Sequence, residues 1–129
     1  MNNFTRITYG RKSSVPENAA LLSFRHAFSL PEAAKKEAVR DALIGVFQKL
    51  IPSVSQNGII LGHLKGSIQA GGALLGLSAT RADAIDQTPG PGWEELDTLQ
   101  DFEIRVSLLS ITPCPITQEQ MEEMIVNMI

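Results

Sequence analysis

The sequence predicts an α+β fold, in which two helices pack on one face of a mixed or antiparallel sheet of about five strands. Two observations favour this class. Several short segments alternate apolar and polar residues, as half-buried strands do, whereas two others carry apolar residues at helical spacing. The predicted strands follow one another with helices only at intervals, in the order β-β-α-β-β-β-α, which is typical of α+β layers.

Length and composition limit the class of protein. The chain has 129 residues, enough for one domain with its own core, and 43% hydrophobic against 19% charged residues indicates a globular protein. A formal net charge of −3 gives the whole chain no electrostatic attraction to nucleic acid or an anionic membrane. The single cysteine, Cys114, excludes an intramolecular disulfide, and residues 1–6 contain no apolar signal region. We therefore expect a cytoplasmic protein.

The N-terminal region predicts two strands. Residues 3–9 alternate weakly and fit an edge strand, and residues 10–17, rich in charge, Ser and Pro, fit a connecting loop. Residues 20–28 alternate more clearly. One face of this second strand carries apolar and aromatic residues together with a histidine, namely Leu22, Phe24, His26 and Phe28. The other face carries Ser23 and Arg25, with Ser29 following them.

A helix is predicted to begin at Ser29 and to end before Pro52. Ser29 and Glu32 have the spacing of a capping box, and Pro31 is tolerated in a first turn. The apolar stripe of this helix consists of Val39, Ala42, Leu43, Val46, Phe47 and Leu50.

A glycine-containing strand is predicted over residues 58–69, with a tight reversal at 70–72 and a second strand over 73–80. Alternation places Gly62 and Gly66 on the face that packs against the helices, where they could admit Phe47. The opposite, open face carries His63 and Lys65. Ile59, Leu61 and Ser67 belong to the same open face.

The C-terminal third predicts a loop, a strand and a helix. Residues 81–101 read as one long loop, within which 93–99 could form a short helix. Residues 102–111 alternate cleanly as a strand, and the prolines of segment 112–115 end it. Thr117 and Gln120 form a second capping box. The buried stripe of this last helix is Met121, Met124, Ile125 and Met128.

If these strands are neighbours, the open face gathers Arg25, His63, Lys65 and Arg105 around Glu103. Such a cluster suits an anion or carboxylate, with Arg105 as a bidentate clamp and Lys65 as a point charge. Two other interpretations remain open, because a polar sheet face is also typical of solvent exposure or of a subunit interface with Glu103 and Arg105 paired across chains.

Known catalytic motifs are absent from the sequence. Lys65 precedes Gly66, whereas a phosphate loop has its lysine directly after the second glycine and a helix following it. Residues 71–76 do not match a dinucleotide-binding turn. Segment 76–80 lacks the second glycine of a nucleophile elbow. His63 could act as a general base, with Lys65 lowering its pKa. No cofactor is expected, and no known metal-ligand spacing is present.

Two hypotheses for function follow. The first is a small, non-enzymatic binding or accessory module that self-associates through its open sheet face or its last helix, because two helices leave one sheet face uncovered. The alternative is a binding protein or enzyme for a small anion or carboxylate, using His63, Lys65 and Arg105 with the Trp93 loop closing over them. We expect no membrane partner, and the lack of aromatics on the open face disfavours nucleic acid.

Overall fold

The structure, a computed structural model, describes residues 4–5, 20–111 and 116–129 and confirms the α+β class. Its elements in chain order are β1 (Phe4–Thr5), β2 (Ala20–Lys35), α1 (Lys36–Leu50), a 3₁₀ turn (Ile51–Ser53), β3 (Ser55–Gln56), β4 (Ile59–Ile60), β5 (Gly62–Ala70), β6 (Ala73–Arg81), β7 (Ala84–Pro89), β8 (Thr98–Ser110) and α2 (Gln118–Val126). Of the predicted strand 3–9 only Phe4–Thr5 is described, and segments 10–17 and 112–115 lie outside the described residues.

One antiparallel sheet has the strand order β1-β2-β8-β5-β6-β7, and β3 pairs separately with β4. The long strands β2, β8 and β5 are neighbours in this sheet. Leu108 of β8 lies opposite Leu22 of β2 on one side and opposite Leu64 of β5 on the other. We call the sheet face of these three residues the covered face. Buried residues of both helices, Phe47 and Met121 among them, join it in one hydrophobic core. We call the opposite face the open face.

The helix start predicted at Ser29 is wrong. Strand β2 continues to Lys35, with a register irregularity between Ser29 and Ala34, and α1 begins only at Lys36. The Ser29 hydroxyl donates to Asp101 Oδ1 at 2.7 Å instead of capping a helix. Pro31 is tolerated because β2 lies near the edge of the sheet. Long-range pairing with β8 therefore outweighs the local capping signal.

The ends of both helices otherwise follow the sequence. α1 ends at Leu50, and Pro52 lies in the 3₁₀ turn that follows it, as the proline predicts. Thr117 Oγ1 accepts the backbone N–H of Gln120 at 3.1 Å, and Gln120 Oε1 accepts that of Thr117 at 2.8 Å. This reciprocal pair confirms the predicted capping box of α2. Neither helix of the described ranges is long and apolar enough to cross a membrane.

The prediction of one long loop over residues 81–101 is also wrong. The segment contains the edge strand β7 and the first residues of β8. The turn around Trp93 is held by Lys36, whose Nζ donates to the Trp93 carbonyl at 2.8 Å and lies 5.5 Å from the centre of its ring. Trp93 itself is buried in the core.

The glycine-containing segment 58–69 is not one strand but is divided between a turn, β4 and β5. Each of its glycines has a different structural role. Asn57 and Gly58 both have positive φ and form the turn of the β3–β4 hairpin, so Ile59 lies outside the main sheet. Gly62 starts β5 at φ 129°, where a Cβ would collide with the Leu109 carbonyl oxygen. At Gly66 a Cβ would lie 2.9 Å from the ring of Phe47. The expected helix packing therefore holds at Gly66 but not at Gly62.

Candidate functional site

Three neighbouring strands place positive side chains on the open face. The register of β2 and β8 sets Arg25 directly opposite Arg105, and the register of β8 and β5 sets Arg105 opposite Ser67 and Lys65 opposite Ser107. Directly opposite residues of an antiparallel pair point to the same face, with their Cβ atoms about 5 Å apart. The guanidinium groups of Arg25 and Arg105 therefore share a face. The Lys65 ammonium group belongs to the next cross-strand pair on that face, in which Lys65 lies opposite Ser107.

These residues line a shallow depression of about 460 Å³ in the open face. Its polar lining consists of three cationic and three hydroxyl side chains, namely Arg25, Lys65, Arg105, Ser23, Ser67 and Ser107. Phe24, Gly66 and Val106 complete the lining. None of the described residues that line the depression carries a carboxylate. The depression is therefore locally cationic in a chain whose formal net charge is −3.

Glu103 lies beside the depression and pairs with one of its arginines. Arg105 Nε donates to Glu103 Oε1 at 2.7 Å, and both side chains keep partial exposure. This hydrogen bond, with the positive charges of Arg105 and Arg25, lowers the pKa of Glu103 although desolvation opposes the shift. The carboxylate therefore stays ionised and engages Nε, which leaves the terminal nitrogens of Arg105 for another anion.

His63 lies on the same face but outside the depression, opposite Leu109 and two residues before Lys65. Its Nδ1 is buried and has no hydrogen-bond partner among the described residues. Burial, reinforced by the positive charge of Lys65, lowers the pKa of His63. The imidazole thus favours its neutral form, and one of its two nitrogens is enclosed by the protein.

Trp93 does not join the other predicted site residues. Its side chain is only 5% exposed and packs in the hydrophobic core. The expected closure of a Trp93 loop over the charged cluster is therefore wrong. The sequence could not show this, because the contact that fixes Trp93 comes from Lys36, 57 residues earlier in the chain.

A larger groove of about 760 Å³ lies between α1 and α2. Its charged lining residues have opposite signs, Lys49 and Glu123, and its apolar lining includes Met124 and Met128. This balance of charge gives the groove no preference for an anion. Within the described ranges, no group of three or more His, Cys, Asp or Glu side chains is arranged to hold a metal ion.

The three serines of the depression are the residues that sequence reasoning did not select. Strand alternation assigns Ser23, Ser67 and Ser107 to the open face, but only the cross-strand register brings them together with the cations around one depression. Strand order is a long-range property, and one sequence carries no direct signal for it.

Comparison of the chain with models of protein families, with curated proteins and with solved structures finds no match.

Proposed function

We propose that this chain binds a small molecule bearing one or two oxyanion groups, carboxylate or phosphate, in the depression of the open face. The observation that carries the proposal is the lining itself, in which the described residues contribute three cations and three hydroxyls and no carboxylate. Guanidinium and ammonium groups with serine hydroxyls are donors that an oxyanion accepts from. A volume of about 460 Å³ falls in the range of small-molecule sites.

The facing arginines favour a doubly charged ligand. Like charges directly opposite each other on a sheet destabilise the pair, and Arg25 and Arg105 are placed in this way. Glu103 supplies one negative charge, which pairs directly with Arg105. Arg25 interacts with this carboxylate only through longer-range electrostatic attraction. A dianion or a dicarboxylate would neutralise the remaining positive charge, with guanidinium forks matching its oxygen atoms.

The open face favours a compact anion over a nucleic acid. The rings of Phe24, Phe28 and Phe102 pack in or against the hydrophobic core on the covered face. Bound single strands depend on such rings for base stacking, which the depression does not offer. We therefore propose a free small molecule as the ligand.

A binding function is favoured over self-association through this face. Two copies that met face to face around a two-fold axis would set the same cationic patch against itself. Catalysis by His63 has no support from its surroundings, because the imidazole lies outside the depression with Nδ1 enclosed. The proposal is therefore a binding site without an assigned reaction.

The test is a titration of the chain with inorganic phosphate, succinate and citrate, with glycerol as an uncharged control. Calorimetry and thermal unfolding should both report binding by at least one anion, since a ligand at a hundred times its Kd adds about 2.7 kcal/mol of stability. The three anions separate phosphate chemistry from carboxylate chemistry.

Variants link the binding to the depression. Arg105→Gln and Lys65→Gln should each weaken the bound anion about tenfold or more, because each removes a charged donor worth about 1.5–3 kcal/mol. The matched control is Arg81→Gln, which removes the same charge from an exposed position where Arg81 Nε lies 3.7 Å from Asp83. No binding of any anion, or equal losses in Arg105→Gln and Arg81→Gln, would contradict the proposal.

A further inference from the structure

Over its middle, the outer edge of β2 has no strand partner among the described residues. On one side β2 pairs with β8, but on the other the described residues pair with it only at Phe4–Thr5, opposite Leu21 and Leu22. One residue further, the Ser23 carbonyl accepts from Gln118 Nε2 of α2 at 2.9 Å. Beyond Ser23 no described strand continues this edge. An unpaired edge of this kind is a template for another strand.

Alternation identifies which backbone groups point outward from this edge. In an antiparallel ladder, successive residues direct their N–H and C=O groups to opposite neighbours. The Ser23 carbonyl accepts a hydrogen bond from outside the sheet, so the backbone groups of Ser23 point away from β8. The Ile111 N–H donates to the Leu61 carbonyl at 3.2 Å, on the side of β8 that faces away from β2, which gives the same alternation along β2. The outward groups are therefore those of Arg25, Ala27 and Ser29.

The open run is bounded symmetrically. At one end Ser23 already has its carbonyl bonded by Gln118. At the other end stands Pro31, which has no N–H to donate and lies within the register irregularity between Ser29 and Ala34. The midpoint between Ser23 and Pro31 is Ala27, an exposed residue with the smallest side chain of the run. The same edge of a second copy can therefore pair antiparallel with this run around one centre, Ala27.

The side chains of this run complement those of its own copy. With Ala27 opposite Ala27 of a second copy, Arg25 lies opposite Ser29, whose hydroxyl donates to Asp101 at 2.7 Å. The arginine of each copy is thereby directed toward a carboxylate rather than another arginine. On the covered face, the half-buried rings of Phe24, His26 and Phe28 form a ladder with centroid separations of 6.0 and 4.7 Å. The same pairing sets His26 opposite Phe28.

We propose that two copies of this chain associate through antiparallel pairing of their β2 edges, centred on Ala27, so that both sheets join into one. The contact forms about six backbone hydrogen bonds, two at each of three outward pairs. It is isologous, as a two-fold contact must be. Because Arg25 lies on β2, the depressions of both copies come to lie on the same face beside the two-fold axis. The dimer does not depend on anion binding.

The experiment is sedimentation equilibrium of the full chain over roughly 1–200 µM, a range that brackets micromolar dissociation constants. The chain should give the mass of a dimer at the upper end. Ala27→Lys places two ammonium groups beside each other on the axis and should weaken dimerisation at least tenfold while the exposed site leaves the monomer folded. Ala27→Pro removes the central N–H and should act in the same direction. The control is Thr88→Lys on the other edge strand, β7, which should dimerise as the original chain does.

Hydrogen exchange locates the contact. The amides of Arg25, Ala27 and Ser29 should be protected in proportion to the dimer fraction and exposed in Ala27→Lys. Circular dichroism and Trp93 fluorescence report whether each variant is folded; if Ala27→Pro unfolds, Ala27→Lys alone decides. A monomer at every concentration, an Ala27→Lys variant that dimerises unchanged, or amide protection independent of concentration would each overturn the proposal.

Discussion

Replacing Gly62 by alanine should destabilise this protein far more than the same change at Gly66. Both residues lie in β5, the strand that carries Lys65 and Ser67 to the depression. At Gly62 a φ of 129° disfavours any L side chain, and the new methyl group would collide with the Leu109 carbonyl of β8. At Gly66 the new methyl group would meet the ring of Phe47 at 2.9 Å and the Arg105 carbonyl at 3.0 Å.

The magnitudes follow from these contacts. At Gly62 the left-handed φ costs about 1–2 kcal/mol, and displacing the β8 carbonyl loses one or two ladder hydrogen bonds at about 1 kcal/mol each. The expected loss is about 3 kcal/mol. At Gly66, overpacking against the fully buried Phe47 costs about 1–3 kcal/mol, and the better strand propensity of alanine returns about 0.5–1 kcal/mol. The expected net loss is about 1 kcal/mol.

Urea unfolding followed by Trp93 fluorescence measures both values, since Trp93 is the only tryptophan and is 5% exposed. Gly45→Ala is the control, because a Cβ at Gly45 in α1 meets nothing within 4 Å and should stabilise the helix by about 0.5–1 kcal/mol. A Gly62→Ala variant within about 0.5 kcal/mol of the original chain, the spread of an ordinary surface change, would refute the role assigned to the Gly62 backbone. A larger loss at Gly66 than at Gly62 would refute it too.

Three further predictions concern a helix cap and two titrating groups. Thr117→Ala removes the capping box of α2 and should lower the free energy of urea unfolding by about 1 kcal/mol; an unchanged midpoint would contradict the cap. Burial and Lys65 hold the pKa of His63 below its ordinary value of about 6.5, so the unfolded chain binds this proton more tightly and stability should fall as the pH drops through 6.5. His63→Gln should flatten this fall, and an equally steep urea profile in the variant would exclude His63 as its source. Glu103→Gln frees Arg105 Nε and should tighten anion binding up to about fivefold by calorimetry; weaker binding would mean that Glu103 instead positions Arg105.

The alternation of apolar and polar residues predicted more of the fold than any other sequence signal. From Phe102 to Ser110, buried residues of β8 alternate with exposed or partly exposed ones, and the same period in β5 defines the open face. The capping box at Thr117 and Gln120 was equally readable, because both partners lie three residues apart. Local patterns of this kind are complete within a few residues, so one sequence is enough to predict them.

Two features that the sequence did not reveal have different physical causes. Ser29 and Glu32 show the same capping spacing as Thr117 and Gln120, yet β8 pairs with Ala34 and Lys35 and keeps that segment extended. Strand β7 is short, and its residues Asp86, Gln87 and Thr88 are exposed. It therefore lacks the alternation of buried and exposed residues that would predict a strand. Where a partner more than 60 residues away decides the conformation, local propensity is overridden.

Side-chain NMR of the arginines during a phosphate or citrate titration at low salt tests the proposed anion site most directly. We expect saturable shifts of the Nε–Hε signals of Arg25 and Arg105 and of the Lys65 ammonium group, with one shared Kd. Arg81, which lies outside the depression and beside Asp83, should not move. Equal shifts at all of these side chains, or none that saturates, would contradict a site in the open face.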